Sequence, residues 1–203
     1  MYAVLGRLGY FDTASVLGSF RGAGSPFEAH VDPKVPGVDW ACGNLGQGLS
    51  AACGFALASR LTGSHHRVYC VMGDGELCEG SVWEASIIGA FHKLDNLTAF
   101  VDRNKLMIDG PTEEITLLES LNEKFASFGW EALRVDGHDF NALAGAIEKA
   151  RTVKGKPTVI ICDTIKGKCV DYMENDYKWH YGGLDSDMRD KALASIENFY
   201  AKA

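Results

Sequence analysis

Two oxygen-bearing side chains stand at comparable places in the stretch VYCVMGDGELCEGSVWEASIIGAFHKLDNLTAFVDRNKLMIDG, residues 68–110. Asp74 lies between Gly73 and Gly75 at the end of one apolar run, and Asn104 closes a second run, in Asp102-Arg103-Asn104. Glycines on both sides of an acid permit a sharp turn and close approach of the backbone to a ligand. A helix beginning there aims free N–H groups at an anion, and a diphosphate satisfies that geometry. Asp74 and a diphosphate repel each other unless a divalent cation sits between them. Mg²⁺ takes oxygen ligands in near-octahedral array, commonly one or two from side chains, with phosphate and water completing the shell. The Asp74 carboxylate and the Asn104 carboxamide oxygen suit that role, with a backbone carbonyl just past Asn104 as a third donor. Taken alone, Gly-Asp-Gly is equally a tight turn, and Asn104 a turn residue with an Asx hydrogen bond.

The elements that must position these groups are legible in the periodicity. LGQGLSAACGFALASRL, from Leu45, carries small and apolar residues at helical spacing and stops at Gly63. Residues 67–72 read as a buried strand, 80–93 as a helix, 97–102 as a strand, 117–128 as a helix and 130–135 as a strand. A helix over 141–151 and a strand over 158–162 follow. Apolar strands alternating with helices imply an α/β fold, a parallel sheet covered by helices on both faces with right-handed crossovers. In such sheets ligands bind beyond the carboxyl ends of the strands, where Asp74 and Asn104 both fall. Two loop-rich stretches, Gly18–Gly43 and Lys166–Gly183, flank this pattern.

Composition narrows the partners. With 203 residues, 46% hydrophobic and 23% charged, the chain suits one globular domain. Twenty basic against 27 acidic residues give a net charge of -7, and no basic run with interleaved aromatics tracks a phosphate backbone, so nucleic acid is not an expected partner. MYAVLGRLGYF lacks the n- and h-regions of a signal peptide, and no apolar run is long enough to span a bilayer, so a cytoplasmic protein without membrane contact is expected. The six cysteines form no C-x-x-C pair, and Cys70 and Cys162 sit in apolar strand-like runs, which predicts reduced thiols in place of disulfides or a zinc site.

Gly-Asp-Gly followed one strand–helix–strand unit later by Asn resembles the thiamine diphosphate fingerprint, and the surrounding residues resemble transketolases. VPGVDWACGNLGQGLSAACGFALA at 35–58, GDGELCEGSVWEA, VDRNKLMIDG, RVDGHDF and KPTVIICDTIKGKC at 156–169 follow that family in order and spacing. The resemblance covers nearly the whole chain. It implies thiamine diphosphate and Mg²⁺ as cofactors, a two-carbon ketol transfer from a ketose phosphate to an aldose phosphate, as in the pentose phosphate pathway, and a thiamine diphosphate-binding fold.

Residue by residue, the resemblance implies that Asp74 and Asn104 ligate the metal through their side chains and Leu106 through its backbone oxygen. Gly75 donates its N–H to the diphosphate, and Leu45 and Ile108 pack near the thiazolium ring, although ordinary core positions fit both. Glu79 matches an acid at the family's subunit interface, or simply favours the start of a helix. His180, in KWHYGGL, resembles a histidine that reaches diphosphate and substrate, with Tyr181 and Gly182 departing from the family pattern. His30, in EAHVDPKVPGVD, resembles the family's catalytic G-H-P histidine, with Ala29 in place of the glycine and Val31 separating it from the aspartate. His138 is expected to cap a turn, and His65, His66 and His92 to be solvated. The chain corresponds to the diphosphate-binding half alone, beginning inside a segment that in the family follows an S-K-G-H or S-N-G-H motif, with no pyrimidine-binding domain. It therefore resembles the N-terminal subunit of a split transketolase, a hetero-oligomer completed by a C-terminal partner subunit. Another thiamine diphosphate enzyme, of the deoxyxylulose phosphate synthase or 2-oxoacid dehydrogenase kind, and a non-catalytic partner subunit remain as alternatives.

Overall fold

The computed structural model describes residues 1–201 and divides into two compact units, Met1–Leu45 and Gly46–Ala203. In the first unit, helices α1 (Tyr2–Arg7) and α2 (Thr13–Ser19) precede an irregular stretch. Asp12 caps α2 by accepting the Ala14 N–H at 3.2 Å. Leu5, Phe27, Val35 and Val38 are buried together, with Tyr2 and Phe11 packed on them. The Tyr2 ring meets Phe27 edge-on at 5.5 Å. Neither helix was anticipated from periodicity, because each is under two turns long, too short for a 3.6-residue stripe to declare itself. The loop-rich reading of Gly18–Gly43 holds beyond Ser19.

The second unit is α/β. Its strands β1 (Val68–Gly73), β2 (Leu97–Arg103), β3 (Glu131–Asp136) and β4 (Thr158–Asp163) are parallel, in the order β1-β2-β4-β3. They lie within one residue of the expected spans, each shifted or extended by one toward the carboxyl end. Asp74 and Asn104 therefore follow β1 and β2 with no residue between.

One face of the sheet carries the main core. Cys70, Met72, Leu97, Ala99, Val101, Val159 and Ile161 pack beneath small residues of α3 (Gln47–Thr62) and α4 (Gly80–Phe91) and beneath Phe125 of α6 (Leu121–Ser127), which follows the one-turn α5 (Thr112–Ile115). Ala52, Cys53 and Ala56 are what bring α3 close to the strands. On the other face, Ile160 and Cys162 pack against Ala146 and Ala150 of α7 (Phe140–Thr152). That cover stops short of β1: Tyr69 and Val71 are 48% and 74% exposed, so the first strand is buried on one side only, contrary to its apolar sequence.

Boundaries shift for local reasons. Helix α3 starts at Gln47 instead of Leu45 because Gly46 is left-handed, with φ 82°, and it ends at a left-handed Gly63. The helix expected over 117–128 begins only at Leu121, since Lys124 Nζ draws the Leu117 and Leu118 carbonyls onto itself at 2.7 Å each. Helix α5 and the C-terminal α8 (Ser186–Ala201) were not anticipated; α8 buries no residue fully, so no apolar stripe marks it. Among the described residues no helix is long and apolar enough to cross a membrane. No disulfide forms among the described residues, and Cys53, Cys70 and Cys162 are buried.

Candidate functional site

The turn after β1 and the turn after β2 are built on each other. The Asp74 N–H continues the β1–β2 ladder by donating to the Asp102 carbonyl at 3.2 Å. The Asp74 side chain is fully buried. Its Oδ1 accepts the Gly75 N–H at 2.8 Å, and its Oδ2 accepts the Lys105 N–H at 2.6 Å and Arg103 Nη1 at 3.0 Å. Lys105 is held left-handed, at φ 65°, a conformation uncommon outside glycine that commonly marks functional turns.

That twist sets up the next three residues. The Asn104 Oδ1 accepts the Leu106 N–H at 3.0 Å, which is the Asx turn considered from sequence. Leu106 then faces Pro111 across an isolated antiparallel bridge whose hydrogen bonds run from the Thr112 N–H to the Lys105 carbonyl and from the Met107 N–H to the Gly110 carbonyl. Leu106 is thus a non-hydrogen-bonded pair member, and its own carbonyl stays outside the ladder. Ile108 and Asp109 form the tip, with Ile108 61% exposed.

The donors suit a small hard cation. An ionised carboxylate offers about four lone-pair sites, and three donors reach Asp74, which leaves one on Oδ1. Asn104 Oδ1 likewise retains a lone pair, and the Leu106 carbonyl lies outside the bridge's hydrogen bonds. Hard oxygens of this kind are what Mg²⁺ takes, together with phosphate and water. Among the described residues no group of three or more His, Cys, Asp or Glu side chains is placed to hold a metal, so a softer or all-side-chain site is not the alternative.

The glycines contribute differently from expectation. Neither Gly73 nor Gly75 has a positive φ, and the chain leaves β1 through a one-turn 3-10 helix, Gly75–Cys78, capped by Asp74 itself. A Cβ on Gly73 meets no atom within 4 Å, and one on Gly75 meets only the flexible Met107 side chain, at 3.3 Å. Gly73 provides open space at the strand end and Gly75 a close approach to Met107, with no forced turn at either.

Two residues that the sequence reading passed over organise the site. Glu76 accepts the Gly46 N–H at 2.8 Å on one oxygen and the Gly73 N–H at 3.1 Å on the other, pinning the start of α3 to the end of β1. Arg103, 1% exposed, donates to Asp74, to Thr112 Oγ1 at 2.7 Å, to Glu113 at 2.8 Å and to Glu119 at 3.0 Å. Arg134 extends the network from Glu119 to Asp163, whose nearest oxygen is 2.7 Å away. The charges thus connect the carboxyl ends of all four strands. Burial alone lowers the Arg103 pKa, yet its bonds to Asp74 and Glu119 outweigh that and leave it raised. Burial likewise favours a neutral Glu119, but hydrogen bonds from Arg134, the Leu121 N–H and Arg103 bring it down to about 2. The Asp163 carboxyl is lowered chiefly by its bond from Arg134. A basic residue at the end of an apolar strand was the available signal, because a buried charge persists only when paired.

Other expected residues are placed as follows. Leu45 is 62% exposed, so neither Leu45 nor Ile108 is an ordinary core residue. Glu79 is exposed at the N-terminal boundary of α4, without a side-chain capping bond. His30 is exposed, its ring beside Gly43. His180 is exposed at the end of a one-turn 3-10 helix, Tyr177–His180, whose Trp179 indole donates to the Tyr172 carbonyl at 2.9 Å. His138 accepts the Ile165 N–H at 2.8 Å, so it does fasten a turn, beside a cavity of about 500 Å³ beyond β3 and β4. His65, His66 and His92 are exposed, as expected.

Known proteins share this arrangement over almost the whole chain. The family described as transketolase, thiamine diphosphate binding domain, matches residues 1–195. The chain is 39% identical over 198 residues to SqwG, a 6-deoxy-6-sulfo-D-fructose transketolase subunit of Clostridium sp. (strain MSTE9), covering 97% of this chain and 72% of that protein. It is 36% identical to one subunit of the apulose-4-phosphate transketolase of Phocaeicola vulgatus, of which it covers 69%, and 38% identical to human transketolase, of which it covers 31%. The crystal structure of Campylobacter jejuni transketolase superposes with a TM-score of 0.90 at 32% identity, over 97% of this chain and 32% of the other. The strand order, the paired turns after β1 and β2 and these likenesses agree: the chain belongs to the transketolase thiamine diphosphate-binding domain family.

Proposed function

We propose that this chain is the diphosphate-binding subunit of a two-polypeptide transketolase, which moves a two-carbon ketol unit from a ketose phosphate to an aldose phosphate. The observation that supports the reading is the tie between the turns after β1 and β2, where the Lys105 N–H donates to Asp74 Oδ2, the Leu106 N–H donates to Asn104 Oδ1, and Lys105 is left-handed between them. Thiamine diphosphate, when bound, supplies the electron sink that makes cleavage of a carbon–carbon bond next to a carbonyl feasible.

The chain's own residues hold, orient and shield. Asp74, Asn104 and the Leu106 carbonyl would hold Mg²⁺, whose charge would offset that of the diphosphate, and the Gly75 N–H, now on Asp74 Oδ1, would be available to a phosphate oxygen. Leu45 and Ile108 contribute apolar surface that keeps water from the reacting centre. His180 and His30 move protons at the substrate hydroxyls as general acid–base groups. Glu79, exposed at the start of α4, is available to a neighbouring subunit.

A partner is part of the proposal. Two relatives, of which the chain covers 72% and 69%, are named as transketolase subunits. The outer face of α4 also leaves Ile87, Ile88 and Phe91 exposed at 53%, 45% and 75%, an apolar surface suited to a C-terminal subunit carrying the pyrimidine-binding domain. Cysteines without a disulfide among the described residues accord with a cytoplasmic setting. The test is reconstitution: purified with thiamine diphosphate and Mg²⁺, the chain alone shows no ketol transfer, and mixing with a C-terminal transketolase subunit restores it. Full activity of the isolated chain would refute the two-subunit reading. A mixture that gains activity only when an S-K-G-H-containing extension precedes Met1 would identify that extension as part of the site.

A further inference from the structure

Asp74 presents its two carboxylate oxygens unequally. Oδ2 is filled by two donors, Arg103 Nη1 at 3.0 Å and the Lys105 N–H at 2.6 Å, whereas Oδ1 takes only the Gly75 N–H at 2.8 Å. Arg103 has no freedom to release Oδ2. Its Nε and Nη2 are fixed by Glu119 and Glu113, Nη1 is shared with Thr112 Oγ1, and the side chain is 1% exposed.

We propose that Arg103 is a positioning residue that commits Oδ2 of Asp74 and leaves Oδ1 as the single oxygen offered to the divalent cation, so that Asp74 binds through one oxygen. The inference rests on the reading that Asp74 holds the cation, and adds to it a determinant of which cation is preferred. A one-oxygen carboxylate suits the six-coordinate shell of Mg²⁺ or Mn²⁺. A two-oxygen carboxylate suits Ca²⁺, which takes six to eight ligands at longer distance. Arg103 therefore biases the corner toward the smaller ions by denying the second oxygen. Arginine is the residue for this task because its planar fork holds several carboxylates at fixed angles, which a lysine ammonium does not.

The test compares cation preference, since a purely structural role would weaken all cations alike. Thiamine diphosphate is titrated calorimetrically into the full chain assembled with its C-terminal subunit, at varied Mg²⁺ or Ca²⁺, for wild type, Arg103→Met and Arg103→Lys. In Arg103→Met the ratio of Ca²⁺ to Mg²⁺ affinity is expected to rise about tenfold, the scale of one hydrogen bond to a charged group. Arg103→Lys, which still donates to Oδ2, returns most of that change. An unchanged ratio in a folded Arg103→Met variant overturns the proposal while leaving the cofactor site standing. Failure of the wild-type assembly to bind thiamine diphosphate with any cation removes the site and this role together. Should Arg103→Met not fold, a crystal structure of the wild-type assembly with Mn²⁺ and thiamine diphosphate decides. Oδ1 alone on the metal, with Arg103 still on Oδ2, supports the assignment; coordination through Oδ2 or through both oxygens overturns it.

Discussion

Arg103 Nη1 lies 3.0 Å from Asp74 Oδ2, and both side chains are 1% exposed, so the carboxylate expected to hold a cation is already neutralised within the fold. From sequence, Asp74 has a part as a metal ligand; the ion pair gives it a structural part as well. Asp74→Ala breaks a buried pair, a change that typically costs about 3–5 kcal/mol, reduced here because Arg103 keeps Glu113 and Glu119. Urea unfolding of the variant is expected to show a clear loss of stability, and calorimetry a loss of Mg²⁺-dependent thiamine diphosphate binding. Wild-type affinity in the variant excludes Asp74 as a ligand.

His180 stands at the end of a segment tied down by Trp179 and is exposed. Removing one general acid–base group commonly costs about 10²- to 10⁴-fold in rate. His180→Ala is expected to lower kcat for a ketose donor in the assembled enzyme by at least about tenfold, with cofactor affinity changed little. A wild-type kcat returns His180 to the status of an ordinary loop residue.

Gly46 combines a φ of 82° with a Cβ position 2.4 Å from Ser81 Oγ and 2.6 Å from Glu79 Cβ. Gly46→Ala is expected to cost at least about 1–3 kcal/mol from the backbone alone, and to disturb the Gly46–Glu76 bond beside the site. Gly54 is the matched control, inside α3 with nothing within 4 Å of its Cβ position. Gly54→Ala is expected to stabilise by about 0.5 kcal/mol through the unfolded chain. Denaturation midpoints shifting in opposite directions check both; equal shifts contradict the packing described.

Glu119 has a folded pKa of about 2 against an ordinary value of 4.5. A depressed folded pKa means that its contribution to stability is complete above pH 4.5 and disappears as pH falls toward about 2. Asp163, also lowered, acts in the same direction. Because Glu119 is about one-third exposed, solvent screening reduces the size of the effect. Urea midpoints between about pH 6 and about pH 2.5 are expected to fall less steeply in Glu119→Gln than in wild type. Parallel curves would show that the Arg103–Glu119–Arg134 chain contributes no acid sensitivity.

The order of residues was enough to place the α/β fold, its four strands to within a residue, and the coincidence of Asp74 and Asn104 at adjacent strand ends. Apolar runs and helical spacing are local signals, and a parallel sheet converts them into position with little ambiguity. The ordered motifs also carried the family assignment, because each binds its residues to a fixed place on that sheet. Other features emerged only in the folded chain. Tyr69 and Val71 of β1 lie bare, Leu45 and Ile108 are not core, and Gly73 gives space in place of a turn. The role of Arg103 belongs with these, since its partners Asp74, Glu113 and Glu119 come from three separate places in the chain. Charges in water leave no periodic trace in a chain, and their pairing depends on a dielectric and a geometry that exist only once the strand ends have been brought together.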